Sequence, residues 1–254
     1  VSNMMRRIRD SGEPLALGAI FMAYSNGLSI WAHWRGQYPE GHFQRWNPVI
    51  TALMVLYGAV RPGGLDAIGL RRKGLGKSLL GGAGLGLALS IPPLFFFYKP
   101  ILLDTPMEYG PITSLTRRQL LKNVLIEVPI GIALLEELAF RGLLYAAIRR
   151  TMPAKWAVIG SAIGFAGWHL TVTATSAAQT NLSTAARLPA FLRPFIQPIA
   201  VIGGMLTTGV AGLLFGYLRE RTGNLAGAIL AHWIVDSLMI AALWWRRPER
   251  SAED

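Results

Sequence analysis

Three short patterns carry charged or polar side chains inside otherwise apolar stretches. Glu136-Glu137-Leu138-Ala139-Phe140-Arg141 sets two carboxylates and a guanidinium close together. On a helix, residues i and i+4 share a face, whereas neighbours point about 100° apart. Glu137 is therefore expected to pair with Arg141, while Glu136, whose i+4 neighbour is Phe140, must face something else. Phe165-Ala166-Gly167-Trp168-His169 brings an imidazole into a second apolar run. His232-Trp233-Ile234-Val235-Asp236 puts an imidazole and a carboxylate on one helical face. Plainer readings exist for each: a helix-end charge cluster, a hydrogen-bonded packing histidine, and an interhelical hydrogen-bond pair. Ionisable groups inside membrane spans are costly, however, and by default mark functional sites. Glu136, His169, His232 and Asp236 are expected to converge from three helices on one polar pocket. A pocket of that kind suits hydrolysis by general acid–base catalysis, metal-assisted hydrolysis, or a proton relay.

The elements that must position these groups are membrane helices. Hydrophobic residues make up 52% of the 254-residue chain and charged ones only 15%, against about 25% charged in a soluble domain. That much apolar surface excludes a disordered chain. The absence of cysteine excludes a disulfide scaffold, a zinc knuckle and a cysteine nucleophile. Stretches near the ~20 residues needed to cross a bilayer lie at 14–33, 46–60, 78–98, 119–148, 155–175, 195–218 and 224–245. The predicted fold is all-α, a polytopic membrane bundle of about seven transmembrane helices with the polar site inside. Pro92-Pro93 is expected to kink or break the third span, and Pro129 to bend the fourth. Ser25, Asn26 and Ser29 interrupt the first span, which argues against a cleavable signal peptide.

The formal charge of +11 is gathered in clusters such as Arg71-Arg72-Lys73-Lys77 and Arg149-Arg150 between apolar runs. That is the pattern of helix ends rather than of a nucleic-acid-binding face. No nucleic-acid partner is expected; the lipid bilayer is. A narrow excess of basic residues favours a cytoplasmic N-terminus, and the expected location is integral and multi-pass, in the cell membrane.

In order along the chain, Glu-Glu-x-x-x-Arg, Phe-x-x-x-His and His-x-x-x-Asp on successive apolar helices resemble the CPBP family of intramembrane proteases (CAAX proteases and bacteriocin-processing, or Abi, proteins), which includes the CAAX prenyl endopeptidase. The resemblance covers about residues 119–245. It divides the chain into N-terminal transmembrane helices without a recognisable motif (1–118), a catalytic core (119–245) and a short polar tail (246–254). It implies a glutamate-type endopeptidase that hydrolyses a peptide bond of a membrane-embedded or lipidated substrate. Glu136 with His169 would hold and deprotonate the attacking water, and His232 with Asp236 would face the developing oxyanion. Glu137 and Arg141 would be the structural ion pair, with Phe165 supporting its motif.

The third motif often ends in Asn in this family, and here it ends in Asp236. An ionised carboxylate would repel an oxyanion, so Asp236 must be protonated, orient His232 or bind a metal; the orienting role is preferred. The expected reaction needs no cofactor. Zinc is the alternative, and Glu136, His169 and His232 could supply three ligands with an open position, although the His-Glu-x-x-His spacing is absent. Two other functions compete with the protease. A non-catalytic scaffold or peptide-immunity protein of the same family would keep the pocket for binding, and a proton-coupled transporter would show internal pseudo-symmetry, of which the sequence carries none.

Overall fold

The computed structural model describes residues 2–35, 40–98, 105–185, 187 and 189–247. Of the polar tail expected at 246–254, residues 248–254 lie outside the described residues. The elements are helices, with one isolated antiparallel bridge between Tyr109 and Thr180. Helix α1 runs over 2–34 with a widened π turn at Ala23–Gly27, and α2 is Glu40–Val60. Helix α3 is Leu75–Tyr98, α4 covers 117–149, α5 is Ala154–Trp168 and α6 is Leu170–Ala178. Helices α7 (Ile196–Thr222) and α8 (Ala226–Trp245) complete the bundle.

Helix α4 is the centre of the molecule. Thr116 starts it with a capping box: its hydroxyl accepts from the Gln119 N–H, while the Gln119 side chain accepts from the Thr116 N–H at 2.9 Å. The helix widens to i→i+5 hydrogen bonding twice, over Asn123–Ala133 and Leu138–Leu144. Pro129 falls in the first of these segments, where its ring and missing N–H are incompatible with a regular α turn. The second follows directly on Glu136-Glu137, in keeping with the frequent occurrence of π turns at functional sites. Leu135, Leu138, Ala139 and Phe140 are fully buried, and the largest apolar core is built around them.

Small residues let the other helices approach closely. Gly82 of α3 meets the Gly227 backbone of α8, and Gly86 meets Ala231, the residue before His232. The Gly227 N–H donates to Ser78 Oγ at 2.8 Å, and Ser78 donates on to the Asn224 carbonyl at 3.1 Å. Close helix approach through small residues, joined by interhelical hydrogen bonds, is how bundles hold together without a hydrophobic drive between helices. At one end of the bundle Glu13 of α1 bridges Arg61, just past α2, and Arg150, just past α4. Helix α3 continues through Pro92-Pro93 without a break.

Among the described residues, five helices have the length and apolar composition to cross a membrane: Gly12–Ala32, Leu75–Tyr98, Ala154–Ala178, Phe191–Thr222 and Ala226–Trp245. They expose Ile20, Leu80, Ile91, Ile163 and Leu206 on their outer faces, as lipid-facing surfaces do. The protein is thus an integral, multi-pass membrane protein, but the expected count of about seven crossings is not confirmed. Trp46–Val60 is apolar over too short a stretch. The 119–148 region carries Glu127, Glu136, Glu137 and Arg141, and its second half is enclosed by protein.

Candidate active site

The i,i+4 relation on α4 produces the expected ion pair. Arg141 Nη1 donates to Glu137 Oε1 at 3.0 Å, with both side chains fully buried. The same Glu137 oxygen lies 2.9 Å from Nδ1 of His232 on α8. Glu137 is therefore shared between a guanidinium on its own helix and an imidazole across the bundle. Helical spacing accounts only for the first contact.

Glu136 does not share the Arg141 pair, as its spacing requires, and reaches α5 and the other edge of His232 instead. Its Oε1 accepts from the indole N–H of Trp168 at 3.0 Å. Its Oε2 lies 3.5 Å from His169 Nε2 and 3.8 Å from His232 Nε2, is buried, and has no hydrogen-bond partner among the described residues. His169 lies inside the Ala154–Ala178 span, as expected, but the helix is interrupted there. It sits at the junction of α5 and α6, where backbone angles of φ −84° and ψ 0° break the helix. The break leaves the Phe165 carbonyl free to meet His169 Nδ1 at 2.8 Å. A carbonyl only accepts, so Nδ1 donates to it, and a neutral ring would then present Nε2 as an acceptor. With a neutral ring, Glu136 Oε2 and His169 Nε2 meet acceptor to acceptor. Only a shared proton, or a donor such as water giving a hydrogen to each, satisfies that geometry.

His232 is placed between acids on both edges. Nδ1 faces Glu137, and Nε2 lies 3.3 Å from Asp236 Oδ2. The structure thus brings Asp236 to His232 as the i,i+4 spacing predicts. Asp236 and His169 form the more open side of the cluster, with about a third and a sixth of their side chains exposed, respectively. Arg141, Glu137, Glu136 and His232 form its closed floor.

Aromatic rings fix these groups in place. The Arg141 guanidinium lies 4.0 Å over the Phe165 ring, and Phe165 also packs edge-on to His169 at 4.5 Å and to His232 at 5.8 Å. Phe165 therefore touches all three basic side chains of the site. Phe215 of α7 stacks on the opposite face of the cluster, 5.8 Å from the His232 ring and 5.3 Å from the guanidinium. Trp168 and Phe215 were not anticipated as site residues. A buried indole N–H needs an acceptor, and that signal, next to His169, could have pointed to Trp168; nothing in the sequence points to Phe215.

For a metal, the donors to consider are Glu136, His169 and His232. Among the described residues no group of three or more His, Asp or Glu side chains has an arrangement able to hold a metal ion. Glu136 Oε2 lies 3.5 Å from His169 Nε2 and 3.8 Å from His232 Nε2, and His232 is engaged by carboxylates at both ring nitrogens.

No curated protein and no solved structure matches the chain. Residues 120–238 do match a protein-family model, that of type II CAAX prenyl endopeptidase Rce1-like proteins. The matched segment contains all seven residues singled out from the sequence and begins three residues into α4. With the three motifs in family order and their side chains gathered in one cluster, the chain carries an Rce1-like type II CAAX prenyl endopeptidase domain over residues 120–238.

Proposed function

We propose that the protein is an intramembrane endopeptidase that hydrolyses a peptide bond of a membrane-associated protein or peptide by direct attack of water. The observation that carries this reading is the convergence of Glu136 Oε2 with the Nε2 atoms of His169 and His232 at 3.5 and 3.8 Å, inside an apolar bundle. A water between Glu136 Oε2 and His169 Nε2 donates a hydrogen to each acceptor. It therefore points a lone pair away from both, toward a substrate carbonyl entering from the open side.

Glu136 takes one proton as the oxygen bonds to the carbonyl carbon. The carbonyl oxygen becomes an oxyanion, the C–N bond breaks, and the proton passes to the departing amine. His232, doubly protonated between Glu137 and Asp236, supplies the preorganised hydrogen-bond donor for the oxyanion from Nε2. In this reading Asp236 orients the ring and Glu137 fixes its other edge. Residues Ala174, Ala178, Gln197, Pro198, Val201 and Ile202 line a largely apolar groove between α6 and α7. Its first lining residue, Ala174, is five positions after His169 on α6, and the groove would receive the apolar flank or lipid of the substrate.

The test is cleavage of a panel of membrane-inserted and lipidated peptides by the purified protein in lipid, with and without chelator. The expected result is cleavage that persists in chelator and is lost in Glu136→Gln. Loss in chelator, restored by zinc, would replace this mechanism with a zinc-dependent one using Glu136, His169 and His232. Peptide binding without cleavage across the panel would instead favour a non-catalytic scaffold.

A further inference from the structure

The helix break that aims His169 is built partly by α1, which lies outside the matched residues 120–238. In a continuous helix the Thr171 N–H would donate to the Gly167 carbonyl, four residues back. Here one side chain of α1 meets both ends of that pair. Asn26 Nδ2 donates to the Gly167 carbonyl at 3.1 Å, and Asn26 Oδ1 accepts from the Thr171 N–H at 3.0 Å and from its hydroxyl at 2.7 Å. The preceding residue, Ser25, is buried and donates to the Trp168 carbonyl at 2.9 Å. Both residues sit in the widened turn Ala23–Gly27, which lets successive side chains address the same stretch of α5–α6. Gly167 allows the approach: a Cβ there would lie 3.1 Å from the Met22 sulfur.

We propose that Asn26 is a positioning residue for His169. Its amide splices the interrupted backbone between Gly167 and Thr171, and so holds the His169 ring at its distance from Glu136. Ser25 secures the same break at Trp168, whose indole holds the other Glu136 oxygen. A polar amide in a candidate membrane span is otherwise costly; here its bonds to Gly167 and Thr171 occupy both of its functional groups. Ser29, one turn further along α1, is buried without a hydrogen-bond partner among the described residues and serves as a control.

The inference rests on the reading of His169 as part of the water-binding pair, and the test separates the two. Full-length protein in lipid is labelled with ¹⁵N-histidine; the chain has four histidines, His33, His42, His169 and His232. Asn26→Ala, Ser29→Ala, His169→Ala and the double variant Asn26→Ala/His169→Ala are compared by ring ¹⁵N shifts and by cleavage rate. Asn26→Ala is expected to move the His169 signal while leaving those of His33 and His42 in place. It should also lower kcat roughly 10- to 100-fold with little change in KM, the scale of a misplaced reacting group. It should cost nothing further in the His169→Ala background, because the two substitutions act through one group. Ser29→Ala should match wild type.

An unmoved His169 signal and an unchanged rate in Asn26→Ala, with His169→Ala inactive, would overturn the positioning role. So would a uniform shift of all four histidine signals, which reports general loss of structure. Full activity of His169→Ala would instead refute its role in catalysis, and the ring shifts would still decide whether Asn26 places it.

Discussion

Replacing Arg141 with Met isolates the electrostatics of the site floor. Methionine keeps most of the aliphatic stem and removes the guanidinium. Glu137, with no exposed surface, then loses the cation that donates to its Oε1 at 3.0 Å and keeps only the His232 contact. Breaking a buried pair from one side costs about 3–5 kcal/mol, because a charge is left uncompensated. The guanidinium also lies 4.0 Å over Phe165, a desolvated cation–π contact worth up to about 2 kcal/mol. The two contributions overlap and do not simply add. At roughly 2–4 °C per kcal/mol for a chain of this size, Arg141→Met is expected to lower the unfolding midpoint by about 6–20 °C in detergent or lipid. Adding Glu137→Gln removes the uncompensated charge while leaving a carbonyl oxygen to accept from His232 Nδ1. The double variant should therefore recover at least about 2 kcal/mol of the loss. Thermal unfolding followed by circular dichroism reads both variants. A midpoint within about 2 °C of wild type for Arg141→Met, or a double variant less stable than the single one, would refute the shared-carboxylate description.

Other substitutions probe other contacts. Gly82→Ala would place a Cβ 2.7 Å from the Gly227 Cα and should destabilise the bundle by about 1–3 kcal/mol in thermal unfolding. Gly84→Ala, with nothing within 4 Å, should be neutral or slightly stabilising. Trp168→Phe keeps an aromatic ring but removes the donor to Glu136 Oε1, a hydrogen bond to a charged group worth about 1.5–3 kcal/mol; unfolding should show that loss, and the cleavage rate should fall with it. Asp236→Asn should retain cleavage within about tenfold, since an amide can contact His232 and also donate toward an oxyanion. A loss approaching 10³-fold would show that the carboxylate does more than orient the ring.

How much of this was legible from residue order depends on the range of each contact. The Glu137–Arg141 pair and the divergence of Glu136 follow from helical geometry over four residues, and both occur. The gathering of α4, α5 and α8 at one point was readable because polar groups in apolar helices must face each other or water. The division of the His232 ring between Glu137 and Asp236 was not: Glu137 and His232 are 95 positions apart, and no periodicity reports such a contact. The same limit hid Phe215. The widened turns in α1 and α4 were also invisible, since Pro129 announces a disturbance but not its form. Asn26 was legible only as an interruption of an apolar run, because its two partners belong to a helix break that the sequence itself read as continuous helix. The crossing count of about seven is not confirmed, for a related reason: apolar length alone does not separate a helix facing lipid from one enclosed by protein.

The central claim is that Glu136 activates the water that cleaves the peptide bond. It is tested most directly by single-turnover cleavage of one membrane-inserted peptide, with peptide binding measured in parallel for wild type and Glu136→Gln. The account predicts that Glu136→Gln binds peptide within a few-fold of wild type and cleaves it about 10²–10⁴-fold more slowly. Cleavage by Glu136→Gln at the wild-type rate, with binding unchanged, would contradict it.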